Sequence, residues 1–407
     1  MISISNEFYK NKKEFFITVF LVLIPIIILA GSSVINVSVI LIDLYFLYTL
    51  YKNKNFKFLK NKFFYSLLLF WLYLIFNLIL SINFYESLPR SIGFIRFVIF
   101  AFAINYFFNN KNAEIKKFII NFWGIFFLLI SADLIFEFIF NYNVLGFKSP
   151  HEGRLGGVLG EELKIGHFYS AFVLFALYSF YEILKKTINN NLLFYLILIL
   201  FLFISLIIGE RSNFIKTFFM LFLFIFLIDK KDFFKKIFSI MIFVIAFLTL
   251  TLNDIRFKDR IWNHFLFPFF SNPIELISES KYGSHYKVAI HVFKNNKLFG
   301  VGLKSYREEV KNKKYDRDAS IHPHQIHFEI LSELGIVGYI LFLSVFIFNI
   351  ILAVKSFLIE REMLKLCGIL FIIATFIPLL PSGSFFTTYA AALFWFNFSF
   401  ILPKKNL

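Results

Sequence analysis

Twelve unbroken apolar runs follow one another along the chain, at roughly 15–31, 34–51, 64–82, 92–108, 118–140, 167–184, 192–208, 214–228, 237–252, 336–354, 366–381 and 387–402. Each approaches the length of about 20 residues that a helix needs to cross a hydrocarbon core of roughly 30 Å. Composition agrees, because 59% of the 407 residues are hydrophobic and only 17% are charged, with a mean hydropathy of +0.74. A water-soluble domain cannot carry that balance on its surface. The runs therefore predict one all-α integral membrane domain over 1–407, with about 12 transmembrane helices and lipid as its main solvent.

Cations mark alternate connections between these runs. Lys52, Lys54, Lys57, Lys60 and Lys62 come first, then Lys111, Lys116 and Lys117, then Lys185 and Lys186, then Lys230, Lys231, Lys235 and Lys236, then Lys355, Arg361 and Lys365. The positive-inside rule puts these connections in the cytoplasm, and Lys404 and Lys405 put the tail there too. Both termini are thus expected to be cytoplasmic. The net charge of +16 is accounted for by these juxtamembrane clusters, so no nucleic-acid partner is expected. The 64 phenylalanines come with abundant Lys, Asn and Ile, all residues with A/T-rich codons, and read as base composition rather than an aromatic binding surface. Cys367 is the only cysteine, which excludes an intrachain disulfide and a thiolate metal cluster. Lys10, Lys12 and Lys13 precede the first run without a small-residue cleavage motif, so that run reads as a retained span.

Three external segments remain: 141–166, the short Gly209–Asn213 turn, and a large loop of about 253–325 between the ninth and tenth helices. Loops of that length are functional or disordered. Trp262, several phenylalanines and two helix-like stretches favour an ordered, partly helical loop. No internal repeat stands out, which counts against an inverted-repeat transporter.

The most informative stretch is IHPHQIHFEILSELGIVGY, 321–339. After Pro323, His324 precedes Phe328, Leu331 and Gly335, one face of a helix that continues into the bilayer. The positive end of a helix dipole disfavours imidazolium and attracts anions, so a histidine there is inclined to stay neutral beside a phosphate and can act as a general base. His322, His324 and His327 can equally be interfacial residues at a helix start. A metal site ranks below both readings, since no carboxylate or cysteine completes a tetrahedral set.

In the turn Gly209-Glu210-Arg211-Ser212-Asn213, Arg211 stands near hydrocarbon, where a guanidinium is costly unless paired or functional. It can grip a lipid pyrophosphate in bidentate fashion, or pair with Glu210 or reach the headgroups. In HEGRLGGVLGEELKIG, 151–166, Arg154 precedes a glycine run and then Glu161 and Glu162, which can orient a sugar hydroxyl, pair with an arginine, or simply be solvated. The large loop holds Ser284-His285-Tyr286-Lys287 and Gly300-Val301-Gly302-Leu303-Lys304-Ser305-Tyr306-Arg307. Its Gly-x-Gly lacks the context of a nucleotide site. As an external turn it can close Lys304 and Arg307 over an anionic lipid head.

These residues resemble the O-antigen ligase family, which includes the polymerases that extend lipid-linked glycans. The family's signature is His, then Asn, Ser or Gln, nine residues, Gly, two residues, then Gly, Thr or Tyr. His324, Gln325, Gly335 and Gly338 satisfy it in full. LFGVGLKSYR resembles the turn ahead of the family's histidine, GERSNF its arginine-bearing external turn, and GRLGGVLGEE its earlier loop.

The resemblance implies a GT-C-like fold in a bacterial inner membrane, with the active site facing the periplasm. It implies a metal-independent inverting transfer, without cofactor, of a glycan from undecaprenyl pyrophosphate to a lipid A-core sugar hydroxyl. His324 and Arg211 would be catalytic. Arg154, Glu161, His285, Lys304, Arg307, Arg260 and Gln325 would bind substrate. Family ligases use a second essential arginine in the large loop, for which Arg256, Arg260 and Arg307 are candidates. Where many relatives show Arg and Trp, this chain has Ser284-His285-Tyr286. A polymerase would use the same donor with a second lipid-linked glycan as acceptor. A lipid-linked-glycan transporter would instead place its charges near the bilayer midplane.

Overall fold

Asparagine and glutamine begin many of the helices. Asn61, Asn83 and Asn112 each accept a backbone N–H three residues on, closing the first turn of the helix that follows. The computed structural model describes residues 12–151, 153–185, 191–228, 233–253, 258–272, 275, 280–312 and 320–404, and no strand occurs among them.

In chain order the helices are α1 (Lys12–Leu29), α2 (Ser32–Lys52), α3 (Lys62–Ile79), α4 (Phe84–Asn109), α5 (Ala113–Phe140), α6 (Ile165–Leu184), α7 (Asn191–Ile207), α8 (Arg211–Ile228) and α9 (Phe233–Asn253). The large loop holds a π-helical segment, Lys258–Leu266, and α10 (Phe267–Ser271), α11 (Lys281–Asn295) and α12 (Tyr306–Asn312). After it come α13 (Ile326–Glu360), α14 (Met363–Thr375) and α15 (Thr388–Ser399).

Each of the twelve apolar runs coincides with one of these helices. Eight of them, α2 to α6, α8, α9 and α13, are long and apolar enough on their own to cross a membrane. The run expected over 366–381 stops early, at Thr375. Pro378 and Pro381 cannot donate to a helix, and the N–H groups of Ser382 and Phe385 are engaged elsewhere, as described below.

Aromatic side chains fill the interior. Phe346, Phe394 and Trp395 meet in a cluster of edge and tilted contacts, with ring centroids 5.4 Å apart for Phe346–Phe394 and for Phe394–Trp395. Leu41, Leu44, Leu69, Leu129, Ile340 and Ile347 lie exposed on α2, α3, α5 and α13, as lipid-facing side chains should. The large loop has a small core of its own, Val288, Ala289, Val292, Val301 and Tyr306, against which Phe328 packs.

α13 is broken near its start. Gly335 takes φ +67° and ψ −173°, which frees backbone groups that a membrane protein must satisfy internally. The large loop supplies the partners. Val301 and Gly302 donate to the carbonyls of Ser332 and Glu333 at 3.1 and 2.8 Å, while Ile336 and Val337 donate to Lys297 and Leu298 at 2.8 and 3.2 Å. The Tyr73 hydroxyl donates to the Leu334 carbonyl at 2.7 Å. Side chains cannot intrude here: a Cβ on Gly335 would lie 2.3 Å from the Leu298 carbonyl oxygen, and one on Gly300 2.4 Å from the Glu333 carbonyl carbon. The Gly-Val-Gly turn is thus a clamp on the break in α13, not a free flap.

Candidate active site at one end of the helix bundle

α3 begins among the lysines at Lys62 and ends where the Asn77 amide donates to the Phe299 carbonyl of the large loop at 2.6 Å. The large loop therefore covers the end of the bundle opposite the Lys52–Lys62 cluster. The ends of α3, α5, α7 and α14 and the starts of α4, α6, α8, α13 and α15 meet at this end.

Gln325 is the N-cap of α13. Its side-chain oxygen accepts the N–H groups of His327 and Phe328 at 2.7 and 3.1 Å, so it builds the helix start; its amide nitrogen is buried with no hydrogen-bond partner. His324 stands just ahead with φ +55°. Its carbonyl accepts Ser382 N–H at 2.7 Å, and its Nε2 lies 3.1 Å from Ser320 Oγ.

Three more side chains surround that ring. His285, on α11, is 5.1 Å away, His322 4.9 Å and Tyr282 6.0 Å, centroid to centroid. His285 Nδ1 accepts Ser320 N–H at 3.1 Å, so the loop arriving at His324 is tied to α11. His327 points away: its Nε2 lies 2.9 Å from the Phe376 carbonyl and its Nδ1 3.1 Å from the Tyr339 hydroxyl. It ties α13 to the end of α14. Among the described residues, no three His, Cys, Asp or Glu side chains are grouped as a metal site requires.

His322, which lies outside the signature spacing, is half-buried beside His324. Its Nδ1 lies 4.0 Å from a Glu329 carboxylate oxygen, and its Nε2 is buried with no hydrogen-bond partner. Burial depresses it to about 4, assisted by the charges of His285 and Arg307 and opposed by a hydrogen bond to the Ser382 backbone. Glu329 accepts the Ser384 hydroxyl and, at 2.9 Å, Phe385 N–H. The loop between α14 and α15 is thereby pinned against the histidines. Glu329 and Glu333 share a buried face of α13, with Arg90 of α4 and Arg307 of α12 in electrostatic reach of Glu333. Two acids four residues apart in an otherwise apolar run were the available signal for this cluster.

The arginine side is built from the segments 141–166 and Gly209–Asn213. Gly209 has φ +78°, and a Cβ there would sit 2.1 Å from the Gly153 carbonyl oxygen, so the two turns are pressed backbone to backbone. Leu155 N–H donates to the Ile208 carbonyl at 3.0 Å. Glu210 turns to Arg154, Nη2 to Oε1 3.8 Å, rather than to its neighbour Arg211. Burial raises the Glu210 carboxyl above the ordinary carboxylate range, against the pull of Arg154 and hydrogen bonds from Asn213 and Gly166 N–H. Arg211 opens α8, in electrostatic range of Tyr282 and Arg154. Tyr282 is therefore within electrostatic range of Arg211 and 6.0 Å, centroid to centroid, from His324.

The remaining expected residues fall as follows. Lys304 pairs with Glu86 of α4 at 2.7 Å, so its charge is spent on holding the loop to the bundle. Arg307 lies on α12 near His322. Glu161 is exposed, and its neighbour Glu162 pairs with Lys164 at 2.8 Å. Arg256 and the side chain of Arg260 lie outside the described residues.

The fold and this end of the bundle define a polytopic helical membrane protein whose imidazole and guanidinium groups gather where loop and helix ends meet. Residues 194–343 match the family model described as O-antigen ligase, and this match supports the resemblance of the chain to that family of membrane glycosyltransferases. The matched stretch runs from α7 through the break in α13 and contains both Arg211 and His324. No curated protein matches the chain.

Proposed function

We propose that the chain transfers a glycan from undecaprenyl pyrophosphate to a sugar hydroxyl of lipid A-core, at the periplasmic face of a bacterial inner membrane. The observation that carries this reading is the convergence of His324 and Arg211 on Tyr282. A base and an anion-binding fork within reach of the same tyrosine suit an acceptor hydroxyl and a pyrophosphate leaving group.

In the step itself the acceptor oxygen attacks the anomeric carbon from the face opposite the pyrophosphate, and the bond from that carbon to the pyrophosphate oxygen breaks. His324 takes the hydroxyl proton, and undecaprenyl pyrophosphate departs with the electron pair. Configuration inverts. Arg211 stabilises the developing charge, and Arg307 is the loop arginine assigned to assist it, with Arg154 holding the turn behind Arg211. Two guanidinium groups do the work of a divalent cation, so no metal is assigned. The same centre would serve a polymerase with a second lipid-linked glycan as acceptor.

The test is a transfer assay with purified full-length protein, lipid-linked glycan and lipid A-core, in excess chelator. Sustained transfer is expected. Loss of transfer that zinc restores would replace this mechanism by a metal-dependent one. Sidedness is tested separately with cysteines at Ser271, Asn312 and Lys57: the first two should react with an impermeant thiol reagent in spheroplasts and the third should not.

A further inference from the structure

Arginine within a membrane span is costly unless it is paired, faces a cavity or meets a ligand. α4 carries two, Arg90 and Arg96, and both line a small crevice with Gly93, Phe94, Phe386 and Trp395. Helical side chains lean toward the N-terminus, here the end of α4 that meets the large loop, and Arg96 does so. Its Cζ and Nη1 each lie 3.9 Å from where a Cβ on Gly93 would be. The absent side chain of Gly93 leaves the space that the guanidinium occupies, one turn closer to Arg90. The two arginines feel each other's charge across this gap.

Neighbouring groups do not exhaust their donors. Arg90 donates to the Phe386 carbonyl. Asp43 of α2 is in electrostatic range of Arg96, yet both its carboxylate oxygens are buried without a hydrogen-bond partner, and so is Arg96 Nε. Asp43 thus offsets charge without occupying the guanidinium. What fits two guanidinium groups beside an aromatic wall, inside a span, is an oxyanion carried on a lipid chain.

The crevice shares a wall with the catalytic centre. In the loop between α14 and α15, Ser382 N–H donates to the His324 carbonyl at 2.7 Å, Phe385 N–H to Glu329 at 2.9 Å, and the Phe386 carbonyl accepts Arg90. Whatever fills the crevice lies across that loop from His324.

We propose that this crevice seats the phosphate of the acceptor lipid between Arg90 and Arg96. The word acceptor rests on the glycosyl-transfer reading; the lipid-phosphate site does not.

The first experiment uses the full chain in detergent with dioleoyl phosphatidic acid as probe, read by native mass spectrometry. Saturable binding is expected, at least about tenfold weaker in Arg96→Gln and in Gly93→Leu, which fills the space and has no backbone contact to disturb. Asp43→Asn should bind at least as well as the unaltered chain. Undiminished binding by both Arg96→Gln and Gly93→Leu overturns the proposal. So does equal binding of dioleoylglycerol, which lacks the phosphate, and so does inorganic phosphate binding as well as the lipid. An Asp43→Asn/Arg96→Gln double variant that binds normally would reduce Arg96 to a counter-charge for Asp43 and overturn it too.

The second experiment is steady-state transfer. Arg96→Gln should raise KM for the acceptor lipid several-fold and leave that for the donor unchanged. A rise confined to the donor KM overturns the acceptor assignment. Lipid-phosphate binding by a protein that transfers no glycan would remove the proposed function and uphold the site.

Discussion

The two halves of the site are held by different forces. On the arginine side, the Gly153 and Gly209 turns press together, joined by a single backbone hydrogen bond, Leu155 N–H to the Ile208 carbonyl at 3.0 Å, and by a charge pair, Arg154–Glu210 at 3.8 Å. On the histidine side, the Gly300–Gly302 turn clamps the break at Gly335 through four backbone hydrogen bonds between 2.8 and 3.2 Å. Charge pairs answer to pH and salt, whereas backbone hydrogen bonds in a dry interior do not. The histidine segment rests mainly on backbone hydrogen bonds, and the arginine turn more on an adjustable charge pair.

The largest effects are expected where that rigid backbone is attacked. Gly335→Val or Gly300→Val puts a branched side chain at positive φ into carbonyl groups about 2.4 Å away. Size-exclusion chromatography of the purified protein should show little monodisperse material for either. Gly383→Ala, whose Cβ meets nothing within 4 Å, should behave normally. Well-behaved Gly335→Val protein would mean that the clamp is dispensable and the contrast false.

Next come the two chemical groups themselves. His324→Ala, and Arg211→Lys with its charge retained, should each reduce glycan transfer at least about a hundredfold without loss of membrane insertion. Near-normal turnover by His324→Ala would return the segment to an interfacial helix start. It would also shift attention to His322, whose buried Nε2 and Glu329 neighbour make it the alternative base.

Smaller changes should follow on the charge-held side. Arg154→Gln leaves Glu210 buried and unpaired, which should cost roughly 1–3 kcal/mol, less than a fully buried pair because Arg154 is 33% exposed. The Arg154→Gln/Glu210→Gln double variant should recover part of the lost thermal midpoint. Strict additivity of the two single changes would deny the coupling.

The smallest expected effect is a pH dependence. His322 is depressed from 6.5 to about 4 in the folded chain, so the unfolded chain binds a proton first as pH falls. Stability is then complete above about 6.5 and is lost toward 4, by about 1 kcal/mol between pH 6.5 and 5.5. Glu210, whose carboxyl is raised, titrates in the opposite sense, so melting curves are best compared in a Glu210→Gln background. Adding His322→Gln there should flatten the slope, and an unchanged slope would assign it to another group.

Much of this was legible beforehand for a plain reason. Lipid has no hydrogen bonds to offer, so spans must be apolar helices and their positions show as runs; all twelve runs became helices. Cap residues and the spacing of His324, Gln325, Gly335 and Gly338 are local features, and local features survive in a linear reading. The early end of α14 was less visible, because its apolar composition continues to Leu380 while the prolines and the needs of His324 and Glu329 end the helix.

What the residues determined by themselves was therefore solvent, the positions of the apolar helices and the position of one histidine at a helix start. Partnership was decided only by the tertiary structure. Whether Glu210 would meet Arg154 or Arg211, whether Lys304 would face a ligand or Glu86, and which way each of three histidines would turn all depend on side chains distant in sequence. A charge in the sequence carries no direction, and only the packing of helix ends against the large loop supplies one.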